Sequence, residues 1–163
     1  MRRLLGVVCV LCVMAGWFPV VLQAADSGLA KAIKVGNGPK TVIEYTDPDC
    51  PFCRKASVYL DSRQDVTRYV FFYPLKSHQR AKEKARHVLS RPDKAAAYHE
   101  AMAGRLDAVP PPLASTPEGD RLQEEQYALA KQAGVDSTPT FIINGRIITG
   151  FNKSKIEEAL GSR

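Results

Sequence analysis

Short apolar segments alternate with longer polar ones along most of the chain. Residues 41–46 and 66–73 are rich in β-branched and aromatic side chains, a composition that favours buried strands. Polar residues 47–49 interrupt this pattern. A helix is expected to begin at Pro51, where the missing N–H costs nothing, and to end near Leu60. A strand, a helix and a second strand in this order predict two parallel strands joined by a crossover helix.

The middle of the chain has the composition of helices. Residues 77–102 are rich in Ala, Lys, Glu and Arg and are interrupted near Pro92, which predicts two helical pieces. Four prolines make residues 109–117 a loop. Thr116, at the end of that loop, is expected to cap a third helix that runs to Gln132.

The last third carries the clearest local signals. Asn144 and Gly145 lie between the apolar segments 140–143 and 146–149, which predicts a hairpin with a two-residue turn. Ser154 and Glu157 have the spacing of a capping box and predict the start of a final helix. With the parallel pair, this antiparallel pair predicts an α/β fold in which helices flank a mixed central sheet.

The N-terminal segment has the three parts of an export signal. Arg2 and Arg3 precede the apolar run 4–22, and the small residues Ala24 and Ala25 follow it. We expect cleavage near one of the two alanines. Because the apolar run approaches the length of a membrane span, an uncleaved membrane anchor is the alternative.

With 163 residues, the chain has room for one hydrophobic core and little more. Residues 1–25 are the expected signal, residues 26–38 a short lead-in and residues 39–163 the domain, with a helical insertion at about 77–133. The net charge of +6 is mild, and the basic residues are interspersed with acids. This balance argues against a nucleic-acid partner.

Four cysteines form two CxxC pairs, and one pair lies inside the export segment. Cys9 and Cys12 are interpreted as apolar filler of that segment. Cys50 and Cys53 lie where the first strand meets its helix, and a helix N-terminus lowers the pKa of a thiol. Cys50 is therefore predicted to be a solvent-facing nucleophile, and Cys53, one turn further in, the thiol that resolves the mixed disulfide.

A structural disulfide and half of a zinc site are the other interpretations of this pair. Zinc needs about four ligands, and His78, His87 and His99 form no second close pair, so no metal is expected. No cofactor is expected beyond a redox-active disulfide between Cys50 and Cys53.

A proline at the entrance to the hairpin is the second candidate element. A cis bond between Thr138 and Pro139 would present backbone groups to an extended substrate peptide, whereas an ordinary edge-strand proline would not. The residues alone leave both interpretations open.

Two segments and the terminal helix resemble a known family. Thr46–Lys55 (TDPDCPFCRK) and Gly134–Gly145 (GVDSTPTFIING) are similar to the catalytic domain of the bacterial periplasmic DsbC/DsbG group of thiol:disulfide interchange proteins. The resemblance covers most of the chain from about residue 40 onward. It implies a thioredoxin fold with a helical insertion.

The resemblance also implies roles for the matching residues. Cys50 is the nucleophile, Cys53 the resolving thiol and Pro139 a cis-proline facing them, with Thr138 as part of the site. It implies exported proteins with cysteines as substrates, a membrane thiol-redox partner and a periplasmic location.

The chain departs from the group in two ways. Residues 26–38 cannot make the usual N-terminal dimerisation domain, so a monomer is expected and isomerase activity is in doubt. A second structural disulfide is also absent from the sequence. The predicted function is thiol–disulfide exchange with exported proteins, reductase-like or isomerase-like, with its direction open. The alternatives are a non-catalytic chaperone or assembly factor with a structural disulfide, and a metal carrier.

Three residues near the cysteines receive supporting roles. Glu44 precedes Cys50 by six residues, where thioredoxin and DsbA-type proteins place a buried acid. Burial would raise its pKa and make it a general base for Cys53; a solvated strand face is the alternative. Pro51 begins the helix, and Phe52 is assigned to an apolar surface beside the sulfur.

Other polar residues flank the motif. Asp47 and Asp49 are interpreted as turn formers whose charge would oppose a Cys50 thiolate. His78 either caps a helix or faces the site, and the capping role is favoured.

Overall fold

The computed structural model describes residues 28–161. The expected export signal, its cleavage site and the pair Cys9 and Cys12 lie outside these residues. No helix within them is long and apolar enough to cross a bilayer. Ten elements lie wholly inside this range: strands β1 (Ile33–Val35), β2 (Lys40–Thr46), β3 (Val66–Phe72), β4 (Thr140–Ile143) and β5 (Arg146–Thr149), and helices α1 (Pro51–Asp61), α2 (Ala81–Leu89), α3 (Lys94–Met102), α4 (Pro117–Gln132) and α5 (Lys153–Leu160).

The described strands form one mixed sheet in the order β1-β3-β2-β4-β5. β2 and β3 are parallel, and α1 connects them. β4 is antiparallel to both β2 and β5. Asn144 and Gly145 at the hairpin turn have φ angles of 49° and 76°, the positive values that a two-residue type I′ turn requires. The predicted parallel pair and terminal hairpin are therefore confirmed.

Helices cover both faces of the sheet because side chains alternate along each strand. Val42 of β2 shares an apolar cluster with Leu60 of α1. The opposite face of β2 carries Tyr45, which clusters with Ala130 of α4. Phe72 of β3 belongs to a third cluster with residues of α2 and α3. The face of β2 that packs under α1 is therefore the face that also carries its residues 44 and 46.

The helical insertion has the predicted organisation. α2 and α3 are separated at residues 90–93, which include Pro92. The Thr116 hydroxyl accepts a hydrogen bond from the Gly119 amide at 3.1 Å, so Thr116 caps α4 as expected. α4 ends at Gln132.

Two boundaries differ from the prediction. Part of the expected lead-in forms β1, which pairs antiparallel with β3 because Ile33 and Val35 both reach the core. Asn152, rather than Ser154, caps the last helix. Its side chain accepts a hydrogen bond from the Lys155 amide at 3.0 Å, and the helix therefore begins one residue before Ser154.

Candidate active site at the Cys50–Cys53 pair

The CxxC motif lies at the junction of β2 and α1. Cys50 is the N-cap residue of α1, with extended backbone angles and no side chain capping the helix. Pro51 occupies the first turn, where its missing N–H is harmless. The free amides of this turn are therefore available to the Cys50 sulfur.

The two thiols are electrostatically unequal. A hydrogen bond from Cys53 lowers the pKa of Cys50 to about 6, against the opposing effect of burial, and the amides of Phe52 and Cys53 assist. Burial raises the pKa of Cys53, and the charge of a Cys50 thiolate raises it further. Cys50 therefore ionises first, and Cys53 keeps its proton as a donor to it.

Cys50 is less exposed than predicted. Only 4% of its surface is accessible, and Cys53 is fully buried. The cover over Cys50 includes the backbone of Thr138, whose carbonyl oxygen lies 3.6 Å from the Cys50 sulfur. The side chain of Phe52 beside it is 58% exposed. The motif therefore combines a nearly buried nucleophile with an exposed aromatic side chain.

The loop before β4 completes the site. The Thr138–Pro139 peptide bond is cis, and the Thr138 carbonyl faces Cys50. The Pro139 carbonyl is not open to a peptide, because it accepts a hydrogen bond from the Gly150 amide at 2.7 Å. The structure thus brings together residues far apart in the sequence, as the predicted site requires.

Two buried hydroxyls flank the inner thiol. The side-chain oxygens of Thr46 and Thr138 are buried and have no hydrogen-bond partner of good geometry within residues 28–161. Both lie close enough to Cys53 to lower its pKa, against the larger effect of burial. Both hydroxyls can therefore donate to a charge on Cys53.

Glu44 is fully buried, so the solvated-face alternative is wrong. We define the inner cluster as Glu44, Arg68 and Tyr98. Arg68 donates to the Glu44 carboxyl at 3.3 Å, and the Tyr98 hydroxyl donates to it at 3.4 Å. Burial raises the pKa of Glu44, and Arg68 opposes that rise; Thr46, two residues along β2, does so more weakly. Thr46 therefore lies beside both Glu44 and Cys53.

Arg68 and Tyr98 were not among the predicted site residues. Arg68 is 2% exposed and also contacts Asp61. The signal that could have found it is an arginine inside an otherwise apolar strand, because a buried guanidinium needs a carboxylate partner. Glu44 on the adjacent strand was the candidate partner.

Asp47 builds the loop in front of Cys50. Its fully buried carboxylate accepts hydrogen bonds from the amides of Asp49 and Leu75, each at 2.7 Å. His78 contacts the same carboxylate at 2.9 Å, so His78 faces the site through Asp47 and the favoured capping role is wrong. The Asp47 charge raises the pKa of Cys50, the direction that the sequence predicts.

Metal-ligating side chains do not cluster in the part of the chain that the structure describes. There, no group of three or more His, Cys, Asp or Glu side chains is arranged to hold a metal ion. The three histidines lie apart: His78 contacts Asp47, His87 contacts a backbone carbonyl, and His99 contacts Asp61.

Comparisons with known proteins agree with this geometry. A family model described as a thioredoxin-like domain matches residues 29–161. The chain belongs to this thioredoxin-like family. A crystal structure of a disulfide interchange protein from Neisseria gonorrhoeae is 34% identical, with a TM-score of 0.67, and the match covers 81% of this chain and 94% of that one. The predicted thioredoxin fold and the resemblance to disulfide interchange proteins are confirmed.

Curated relatives are similar over part of their length. A probable thiol:disulfide interchange protein DsbC from Bordetella parapertussis is 28% identical over 127 residues, which cover 77% of this chain and 43% of the relative. The chain thus spans less than half of that relative. A thioredoxin-like oxidoreductase from Silicibacter pomeroyi, 21% identical with a TM-score of 0.64, covers 82% of this chain and 94% of its own, and supports the fold alone.

Proposed function

We propose that this thioredoxin-like domain is a thiol–disulfide oxidoreductase that exchanges disulfides with exported proteins in the periplasm. The inequality of the two thiols carries the proposal. An outer cysteine with a pKa of about 6 is largely thiolate near neutral pH, and its inner partner is held as a thiol. A structural disulfide has no need of this division.

The exchange proceeds in two steps. The Cys50 thiolate attacks one sulfur of a substrate disulfide, forms a mixed disulfide and releases the other substrate sulfur as a thiolate. Cys53 then loses its proton and attacks the Cys50 sulfur, which releases the second substrate thiolate. Two electrons pass to the substrate, and a Cys50–Cys53 disulfide remains. A membrane thiol-redox partner returns the pair to its starting state, and the reverse sequence oxidises a substrate.

The second step needs a base for a buried thiol. Glu44, whose pKa burial raises, is the proposed acceptor of the Cys53 proton. Thr46 lies beside both groups, so its hydroxyl is the proposed bridge between them. Thr138 stabilises the Cys53 thiolate from the other side. This arrangement gives each polar residue that faces Cys53 a part in resolving the mixed disulfide.

Phe52 and the cis-proline loop form the proposed substrate surface. Phe52 is largely exposed on the first turn of α1, and the Thr138 carbonyl lies 3.6 Å from the Cys50 sulfur. We propose that the protein acts on cysteine-containing chains as a monomer. The direction of exchange depends on potential: a stabilised Cys50 thiolate favours the reduced form and makes the pair more oxidising.

The second candidate is a non-catalytic chaperone or assembly factor with a structural disulfide. The 4% exposure of Cys50 favours it. A redox titration of the Cys50–Cys53 pair against glutathione separates the two. Exchange predicts a potential between about −120 and −270 mV, and a structural disulfide predicts one below about −300 mV. Insulin reduction and refolding of a scrambled protein then give the direction of exchange.

A further inference from the structure

Four charged side chains surround the loop that leads into Cys50. We define the Lys84 cluster as Asp49, Arg54, Lys84 and Asp107. Lys84 Nζ contacts the carboxylate of Asp49 and lies 2.6 Å from that of Asp107. Arg54 donates two hydrogen bonds to Asp107, at 2.7 and 2.8 Å. Two cations and two anions thus form one connected group.

Lys84 is the unusual member of this cluster. Its side chain is 4% exposed, although a buried ammonium is costly unless carboxylates compensate it. Asp49 and Asp107 both supply that compensation. Removal of either carboxylate leaves Lys84 with one partner, and removal of Lys84 leaves two carboxylates with less compensation.

The members of the cluster come from separate parts of the chain. Arg54 belongs to the first turn of α1 and also donates to the Pro48 carbonyl at 2.8 Å, which fixes the loop before Cys50. Lys84 and Asp107 belong to the helical insertion, in α2 and in the loop after α3. The helical insertion therefore contacts the residues on either side of Cys50, Asp49 and Arg54, through charged side chains.

Gly104 shows how closely the insertion packs on this pair. It has a φ of 78°, which favours glycine. A Cβ there would lie 3.1 Å from Asp107 Oδ2 and 3.2 Å from Arg54 Nη1. The positive φ and these two close approaches both favour glycine at residue 104, where the loop after α3 packs on the Arg54–Asp107 pair.

We infer that Lys84 and Asp107 are positioning residues through which the helical insertion sets the net charge beside Cys50. Lys84 neutralises Asp49, the residue immediately before the nucleophile. Asp107 compensates the positive charges of the two cations, Lys84 and Arg54. Asp47, with His78 at its carboxylate, is the other acid beside Cys50 and keeps its own hydrogen bonds. The inference rests on the proposed role of Cys50 as the nucleophile.

The two insertion residues are expected to act with opposite sign. Lys84→Met leaves the Asp49 carboxylate less compensated, which disfavours a thiolate at Cys50 and raises its pKa. Asp107→Asn leaves Lys84 and Arg54 with excess positive charge, which favours the thiolate and lowers that pKa. A purely structural role would disturb the loop in both variants and shift the pKa in one direction.

The test is a titration of Cys50 by thiolate absorbance in the reduced full chain, without substrate. We expect Lys84→Met to raise the pKa by roughly half a unit or more and Asp107→Asn to lower it by a smaller amount. Lys82→Met is the matched control, because Lys82 lies on the same helix and pairs with Glu124 at 2.8 Å on the exposed surface. The titration curve of Cys50 in Lys82→Met should match the curve of the unmodified chain.

Asp49→Asn keeps the inference testable if Lys84→Met does not fold. It removes the acid beside Cys50 and should lower the pKa of Cys50, as Asp107→Asn does. Shifts of one sign in all three variants, or a Lys84→Met titration equal to that of Lys82→Met, would overturn the inference. If Lys84→Met does not fold, a pKa of Cys50 that rises or stays unchanged in Asp49→Asn would overturn it. Opposite shifts in a chain that reduces no disulfide would instead uphold it and refute the proposed function.

Discussion

The Lys84 cluster and the inner cluster both balance charges near a cysteine, but they differ in their access to water. In the Lys84 cluster Lys84 is buried but Asp107 is 46% exposed, whereas Glu44, Arg68 and Tyr98 of the inner cluster are all buried. Solvent screens charges in the first environment and is excluded from the second. The pKa of Cys50 is set mainly by its hydrogen bond from Cys53, which outweighs burial, and the pKa of Cys53 is set mainly by burial.

This difference explains how two cysteines one helical turn apart can do different work. A thiolate at Cys50 meets amides, the Cys53 thiol and neutralised acids. A thiolate at Cys53 meets a buried environment in which the hydroxyls of Thr46 and Thr138 only partly offset the effect of burial. The Cys50 thiolate is stable in the reduced protein, whereas a Cys53 thiolate is expected only while the mixed disulfide is resolved.

Substitution of each cysteine in turn should have the largest effect on disulfide exchange. Cys50→Ser should abolish disulfide exchange, because no thiolate then attacks the substrate. Cys53→Ser should keep the attack but lose the release, so substrate should accumulate as a mixed disulfide on Cys50. Non-reducing gels and mass spectrometry after incubation with a disulfide-bonded substrate measure both. A mixed disulfide formed by Cys50→Ser would reverse the assigned roles.

Breaking the inner cluster should have the largest effect on stability. Arg68→Met leaves the buried Glu44 charge without its guanidinium and should cost about 3–5 kcal/mol of unfolding free energy. Urea denaturation at neutral pH measures it. Adding Glu44→Gln should recover part of the loss, because the unpaired charge is removed.

Arg121→Met is the control for that experiment. Its exposed guanidinium pairs with Glu118 and Glu125 on the surface of α4, and surface pairs contribute at most about 1 kcal/mol. If Arg68→Met cost no more than Arg121→Met, the inner cluster would not be the compensated buried pair that its distances indicate. The pKa of Cys50 should stay near that of the unmodified chain in every one of these variants.

Changing Thr46 tests whether the inner cluster reaches Cys53. Thr46→Val keeps the shape of the side chain but removes the hydroxyl beside Glu44 and Cys53. We expect roughly tenfold slower release of the mixed disulfide, since each hydrogen bond to a charged group contributes about 1.5–3 kcal/mol at most. The pH profile of release should also move to higher pH.

Thr46→Ser separates a chemical role from a packing role. It keeps the hydroxyl and removes a methyl group, so it should restore the rate and the pH profile of release. Thr46→Val with an unchanged pH profile would show that Glu44 takes the proton by another route. Thermal unfolding of both variants reports any loss of packing separately.

Several local features of the fold, and the cysteine pair of the site, could be predicted from short stretches of sequence. The turn residues Asn144 and Gly145 and the cap Thr116 act through backbone rules that hold within a few residues, and the structure confirms them. The CxxC spacing at the junction of a strand and a helix identified Cys50 and Cys53, and the resemblance agreed. Ser154 failed as a cap because Asn152 competes for the same helix end, and spacing alone does not rank two candidates.

The charges around the cysteines were not accessible in the same way. Lys84 meets Asp49 across 35 residues of chain, and Asp107 meets Arg54 across 53 residues, only after the helical insertion folds back toward α1. Arg68 meets Glu44 because β2 and β3 are adjacent, but Tyr98 reaches them from α3. Pairings between distant segments depend on tertiary packing, which no local pattern encodes.

The smallest predicted effect concerns Tyr98. Its hydroxyl donates to Glu44 at 3.4 Å and accepts from Arg68 at 3.2 Å, so Tyr98→Phe removes one weak donor and keeps the ring. We expect a loss of about 1 kcal/mol in the free energy of unfolding. Glu44 would then be less stabilised as an anion, so the pH profile of mixed-disulfide release should move up by a few tenths of a unit.

Tyr98→Phe also separates the two environments sharply. Tyr98 belongs to the inner cluster, where its hydroxyl bonds to Glu44 and Arg68. The thiolate titration of Cys50 should therefore be unchanged while the release profile shifts. If both profiles moved together, the charges beneath Cys53 would also reach Cys50, and the two clusters would have to be treated as one electrostatic unit.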